Sequence, residues 1–332
     1  MKKIQVLDCT LRDGGYVNDW RFGQQAITRV CDAVEQTGVP ITELGFFRNE
    51  TFLPGRTIFN SSESVNGIIQ RKKENQIYTA MIEMGNYFPL EMLSNRTPGG
   101  LDAIRYVFWK RCMDETYEYS ARIREKGYLL CFQPTRVEQY SDEEFAQMCR
   151  RFSSLDPYAV YIVDTFGLLG KDDLIRYAHI GNESLASGII LGYHAHDNMG
   201  QAFSNSCAFL EQDFGDRVLQ IDATIGGMGR GSGNLRLEML LEYLNRCHGA
   251  NYNLSPIYKV WDDEIAKIKK KHPWEWDLAH FIVAMNACNP NYADYFVNHG
   301  MSVIEIEAAV SRISGADKYL YSDERAKRYA NR

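Results

Sequence analysis

The sequence predicts a (β/α)₈ TIM barrel followed by a C-terminal helical extension. Three observations carry this. Short runs rich in β-branched and aromatic residues alternate with amphipathic runs over the first 250 or so residues. The strand-like runs number eight, as the barrel requires. From Asn251 onward only helical patterns remain. The expected organisation is a barrel over 1–250 and an extension over 251–332. A doubly wound open sheet is the alternative, but no GxGxxG follows the first strand.

The strand candidates are "IQVLDCT" (4–10), "ITELGFF" (41–47), "QIYTAMI" (76–82), "DAIRYVF" (102–108), "GYLLCFQ" (127–133), "AVYIVDT" (159–165), "GIILGYHAH" (188–196) and "RVLQIDAT" (217–224). Between them, "QQAITRVCDAVEQTG" repeats apolar residues at helical spacing and stops at a glycine. "SDEEFAQMCRRFSSL" opens with a serine and places a glutamate three residues on, a capping box. The extension reads as helices in "SPIYKVWDDEIAKIKKK", "LAHFIVAMNAC", "NYADYFVN" and "SVIEIEAAVSRIS". Its aromatics (Trp274, Trp276, Phe281, Tyr292, Tyr295, Phe296) are expected to pack it on the barrel or on a second copy of the chain.

Composition narrows the class. The 332 residues, 45% of them hydrophobic and 24% charged, suit a globular protein with a large core. A net charge of -6 speaks against nucleic acid as a partner. The basic run from Lys267 to His272 follows acidic residues and reads as a solvated helix end. The N-terminus lacks an apolar signal segment and no run of 18 apolar residues occurs. The expectation is a cytoplasmic protein with no membrane contact. The eight cysteines form no CxxC pair and are expected to be reduced and largely buried.

The chemistry gathers at strand ends. In "YHAHDNM" the two histidines stand two residues apart, so on a strand they face the same way. His194 and His196 then sit at the C-terminal end of the seventh predicted strand, where a barrel carries its active site. Two imidazoles so placed can take adjacent positions on one divalent cation. One buried and one surface histidine is the plainer alternative. Past the first strand, "DCTLRDGG" sets Arg12 and Asp13 before two glycines. Asp13 is a natural third ligand, with Arg12 beside it as a charged, planar donor; alone, the two would be an ion pair. After the eighth predicted strand, "DATIGGMGRGSGN" holds five glycines. That loop either holds an anion through its backbone N–H groups or is simply tight.

"LDCTLRDGG", "ELGFF", "VDTFG", "GYHAHDNMG" and "GGMGRGSGN" occur in the order seen in the DRE-TIM metallolyases, and over residues 4–245 the chain resembles that superfamily, with its HMG-CoA lyase-like domain. The resemblance implies that Asp13, His194 and His196 bind Mg²⁺, Mn²⁺, Zn²⁺ or Co²⁺, with Mn²⁺ or Mg²⁺ foremost, and that Arg12 stabilises an enolate. Asn234, Asp8 and Asn198 are candidates for a further ligand or a group behind the ligands. Gly227, Gly229, Arg230, Gly231, Glu43 and Asp164 are candidates for holding substrate.

The loop cysteine of hydroxymethylglutaryl-CoA lyases is replaced near Met228, and the lysine of biotin carboxyltransferases by Val163. The C-terminal stretch is similar to the extension of the 4-hydroxy-2-oxovalerate aldolase-like proteins. The resemblance thus implies a lyase that joins or cleaves a pyruvate-type 2-oxo acid and an aldehyde; an acyl-CoA-dependent Claisen condensation is the alternative, and a non-catalytic barrel a third. A homo-oligomer, or pairing with an aldehyde dehydrogenase, is expected on the same ground. Where those aldolases carry a catalytic histidine in "RDGxH", this chain has Tyr16. Either Tyr16 relays the proton, a metal-bound water does, or the substrate differs.

Overall fold

The computed structural model describes residues 3–69, 72, 75–85 and 88–330; the outermost residues of both expected segments, 1–2 and 331–332, lie outside it. Among the described residues, nine strands form one parallel sheet: β1 (Ile4–Asp8), β2 (Ile41–Phe47), β3 (Ile58–Phe59), β4 (Ile77–Glu83), β5 (Ala103–Phe108), β6 (Leu129–Pro134), β7 (Ala159–Asp164), β8 (Ile190–Ala195) and β9 (Leu219–Ala223). The order β1-β9-β8-β7-β6-β5-β4-β2, with β1 also paired to β2, closes an eight-stranded barrel; β3 adds two residues beside β2. All eight predicted strands are present. The short β3 shifts the count, so the histidine pair belongs to β8 and the glycine loop follows β9.

Helices α1 (Gln24–Thr37), α2 (Ser62–Asn66), α3 (Met113–Arg124), α4 (Asp142–Ser153), α5 (Lys171–Ser184), α6 (Ala202–Glu211) and α7 (Leu237–His248) surround the barrel. Helix α1 stops where Gly38 takes φ 93°, a left-handed cap that glycine enters without strain. The predicted capping box opens α4: Ser141 accepts from the Glu144 N–H and Glu144 from the Ser141 N–H. Every residue of β2 and β7 is buried, because helices cover one face and the barrel interior fills the other.

Inside the barrel the two-residue strand period stacks layers. Ala103, Cys131, Ala159 and Ile190 form an apolar cluster there with Tyr161 and Val163. Two residues further along, Arg105 and Tyr161 point inward, the guanidinium 4.8 Å from the ring centroid. Tyr161 fits because its neighbour on β8 is Gly192, where a Cβ would lie 2.4 Å from the ring. Two residues further again come Val163 and His194.

After α7, α8 (Ser255–Val260), a π-helical turn (Trp261–Ile265) and α9 (Ala266–Lys271) run on without a break, then α10 (Leu278–Met285), α11 (Asn291–Asn298), α12 (Val303–Val310) and α13 (Asp323–Ala330). A boundary at residue 250 divides the chain by element type, since no strand follows it among the described residues. Core packing divides it later. Ile257, Val260, Ile265 and Trp274 join the barrel's core. A second core, including Val283, Tyr292, Phe296 and Ile306, begins at Ala279. Of the six extension aromatics, Trp274, Tyr292 and Phe296 are buried, while Trp276 is half exposed. Lys269 of the basic run pairs with Glu275 at 3.0 Å. All eight cysteines are free. No helix among the described residues is long and apolar enough to cross a membrane.

Candidate metal centre and active site

Beyond β1 the chain makes one tight turn, with Arg12 N and Asp13 N both donating to Cys9 O. The turn aims Asp13 into the barrel mouth. Gly15 is required there: a Cβ would fall 2.0 Å from the Trp20 indole, whose Nε1 donates to Arg12 O at 2.7 Å. Asp13 Oδ2 stands 2.8 Å from His194 Nε2 and 3.7 Å from His196 Nε2. The three ligand atoms lie within 4.8 Å of one another.

The outer nitrogens fix which side of each ring faces Asp13. His194 Nδ1 meets Asp222 Oδ2 at 3.0 Å, and His196 Nδ1 meets Asp164 O at 2.9 Å. Both partners accept, so each Nδ1 carries the hydrogen and each ring turns its Nε2 inward. Burial pushes His196 down to about 4, so it is neutral. Burial opposes charge on Asp13 as well, but Arg12 and His194 hold its carboxyl well below the usual range. A carboxylate oxygen and an imidazole lone pair 2.8 Å apart need a proton or a cation between them. Burial disfavours the proton on His194, whereas Asp13 and Asp222 together raise its pKa. The donor set, one carboxylate and two imidazoles, suits a divalent ion equally well. Asn234 adds a buried Oδ1 with no partner, while its Nδ2 donates to Met228 O and its backbone bridges to His196.

Behind these ligands lies a closed ring of buried charges. Arg12 Nη1 is 3.1 Å from Asp13; Arg12 Nε donates to Glu43 at 2.7 Å; Arg105 Nη1 donates to the same Glu43 oxygen at 2.7 Å. Arg105 Nη2 donates to Asp222, which holds His194, which faces Asp13. Three carboxylates and two guanidinium groups leave the ring net negative. With His194 neutral, a divalent ion would make it net positive, which would attract an anion. Arg105 and Asp222 escaped the sequence reading. Their signals were an arginine within the apolar run "AIRYVF" and an aspartate within "LQIDA".

The other expected residues divide. Arg12, Asp13, Tyr16, His194, His196 and Arg230 line one cavity of about 170 Å³ with Glu83, Val107, Gln133 and Val163. Tyr16 is half-buried, edge-on to Trp20 at 4.8 Å, with the Arg230 guanidinium 5.1 Å from its ring centroid. Burial and then Glu83 raise its pKa, Arg230 acting the other way. Glu43, expected at the substrate, stands behind it as the bridge between Arg12 and Arg105. Asp164, expected there too, accepts from Leu168 N and Leu169 N and shapes its loop; burial raises it to about 7. Asp8 accepts from Thr10 Oγ1 at 2.6 Å, and Thr10 Oγ1 in turn accepts from Ile225 N. Asn198 ties Phe166 O to Ser232 N. Asp8 and Asn198 thus fasten loops rather than face the cavity. Cys9 also lies near His194 and Asp222, but its thiol donates to Ala223 O and burial keeps it protonated.

The loop after β9 is tight mainly for internal reasons. Gly226, Gly227, Met228, Ser232, Gly233 and Asn234 donate their N–H groups within the protein. Gly227, like Gly226, Gly231 and Gly233, has positive φ. The extension grips this loop: Trp274 Nε1 donates to Gly226 O at 3.0 Å, and a Cβ on Gly226 would meet the Trp261 ring at 2.1 Å.

A family model described as HMGL-like matches residues 109–263, from the end of β5 through the histidine pair and the glycine loop. The match spans 155 of the 332 residues, a little under half of the chain. The chain is 25% identical over 246 residues to a 4-hydroxy-2-oxovalerate aldolase of Geobacillus genomosp. 3, covering 73% of this chain and 71% of that protein. It is 23% identical over 266 residues to one of Bacillus thuringiensis (strain Al Hakam), covering 79% and 74%. Its fold is shared with hydroxymethylglutaryl-CoA lyase from Pseudomonas aeruginosa, at TM-score 0.64, 18% identity and coverage of 82% and 95%. The superfamily resemblance read from the five motifs therefore stands, with aldolases among the relatives.

Proposed function

We propose that this protein is a divalent-metal-dependent lyase, an aldolase that joins a pyruvate-type 2-oxo acid to an aldehyde or cleaves the 4-hydroxy-2-oxo acid product. The observation that carries the reading is the convergence of Asp13, His194 and His196 beside Arg12 at one end of a 170 Å³ cavity, a size for a three-carbon acid. Asp13, His194 and His196, with Asn234 near them, would hold the ion, Mn²⁺ or Mg²⁺ foremost. Bound there, a divalent cation supplies Lewis acidity toward the keto and carboxylate oxygens of the acid.

The chain's own groups do the rest. Arg12, fixed by Glu43, offers its guanidinium to the enolate oxygen of the acid. Val107, Val163 and Phe166 line the cavity and help exclude water. Tyr16 has a raised pKa and so is a neutral phenol. It gives its proton to the aldehyde oxygen as the carbon–carbon bond forms, and takes it back in cleavage. Arg230 over its ring eases the passing negative charge. Exposed Met285, Val297 and Ile304 on the extension support association with a second copy or an aldehyde dehydrogenase.

The test is exchange of pyruvate methyl protons in D₂O. Exchange should depend on added Mn²⁺ and stop with chelator. A metal-loaded protein that exchanges no protons would refute the reading.

A further inference from the structure

The 170 Å³ cavity shares Tyr16 and Arg230 with an adjoining outer chamber of about 670 Å³. If the inner cavity holds the 2-oxo acid, an aldehyde must reach it from the outer chamber, and everything beyond its formyl carbon lies there. The relatives named above act, by name, on a 4-hydroxy-2-oxovalerate, whose aldehyde part has a single methyl group beyond its formyl carbon. The outer chamber is far larger than that.

Its two walls differ in kind. One is the loop after β9. Among the described residues, the N–H groups of Gly229, Arg230 and Gly231 have no protein acceptor, and the Arg230 guanidinium, beside the Tyr16 ring, hydrogen-bonds Asn291 Oδ1 alone, at 3.4 Å. That wall donates. The facing wall comes from the extension. Asp277 and Asp294 flank His280, at 2.6 and 3.3 Å, and each is about half exposed. Burial works against charge on His280, but the two carboxylates push it up to about 9, so it is a cation that bonds Asp277 through Nδ1 and stands near Asp294 without a hydrogen bond to it. Their remaining lone pairs make this wall accept. Trp276, 50% exposed, adds a flat apolar surface.

A hydroxyl group both donates and accepts, and so satisfies both walls. An alkyl chain satisfies neither. A phosphate would suit the loop and Lys271, but would face Asp277, Asp294 and Glu275 with only the His280 cation among them. Resting on the aldolase reading, we propose that the outer chamber is an acceptor site for a neutral polyhydroxylated aldehyde, an aldose of about four carbons. Its hydroxyls would bridge the Gly229–Gly231 amides to Asp277 and Asp294, and its C–H face would lie on Trp276.

The experiment compares D-erythrose, butyraldehyde and D-erythrose 4-phosphate as acceptors of pyruvate with the Mn²⁺-loaded enzyme. A site built on hydroxyl hydrogen bonds rejects the analogue without them strongly. D-Erythrose should exceed butyraldehyde by about 10²-fold or more in kcat/KM, and the phosphate should bring no gain. Trp276→Ala, at a half-exposed position, should raise KM for D-erythrose about 10-fold. Separately from turnover, erythritol should change the tryptophan fluorescence of the wild type and not that of Trp276→Ala. Butyraldehyde equal to or better than erythrose, a 10-fold gain from phosphate, or identical erythritol titrations in the two proteins would each overturn the proposal. Loss of pyruvate proton exchange in D₂O would instead strike the aldolase reading, and the erythritol titration would still decide the chamber.

Discussion

Replacing Arg105 with methionine should unfold the protein more readily than any surface change. The arginine is fully buried and bridges Glu43 and Asp222. Methionine fills much of the volume but strands two buried carboxylates, each left with one cationic or imidazole partner. Breaking a buried pair in this way costs about 3–5 kcal/mol. With a urea m-value of about 3 kcal/mol/M, the midpoint should fall by about 1–1.7 M. The loss should also depend on pH. In the wild type, burial opposes ionisation of Asp222, yet Arg105 and His194 hold its pKa below normal. That stabilisation is present above the unfolded-state pKa and lost in acid. Without Arg105, burial dominates and the folded-state pKa rises above the unfolded value. The variant is then destabilised most above that raised pKa and recovers as pH falls. The gap between the two proteins, read by urea unfolding, should therefore narrow from pH 7 to pH 5. A loss under 1 kcal/mol at pH 7, or a gap that does not change over that range, would refute the account of the ring.

His196→Ala should stay folded and lose most bound Mn²⁺, measured by elemental analysis; unchanged stoichiometry would remove His196 from the ligand set. Arg12→Lys keeps the charge but not the fork, and should slow pyruvate proton exchange about 10²–10³-fold with metal content retained. Tyr16→Phe should lower the aldol step by about 10²-fold while enolisation suffers less; a full aldol rate would return Tyr16 to packing. Gly192→Ala should cost about 1–3 kcal/mol in urea, because the new Cβ meets the Tyr161 ring and drives it toward Arg105.

The barrel was legible because its signal is periodic and local. Eight apolar runs, punctuated by glycines and caps, can be read without knowing what they touch. The strand-end residues were legible for the same reason: His194 and His196 share a face by spacing alone, and Arg12 and Asp13 follow a strand. Strand β3 and helix α13 escaped the sequence reading. The first is two residues long, and the second, "DERAKRYA", is mostly charged and buries mainly Ala326. The ring was harder still. Arg105 and Asp222 are 117 residues apart, and neither has meaning until the barrel brings them together. Glu43 and Asp164 were assigned to substrate because position along a strand end does not reveal which way a carboxylate's lone pairs are already spent. The division of the core was equally hidden, since helical periodicity does not say which core a helix joins.

The grip of Trp261 and Trp274 on Gly226 bears on the order in which the molecule can assemble during synthesis. The first strand cannot close the barrel until its partner β9, from Leu219 onward, has been made. Even then the loop that carries Asn234 lacks its clasp, because Trp274 lies 48 residues beyond the carbonyl it holds. A chain released at residue 250 would have every strand and both histidines but not the two indoles that seat the loop. The mouth of the barrel is therefore the last part to set, and the site matures only when the C-terminal helices have docked.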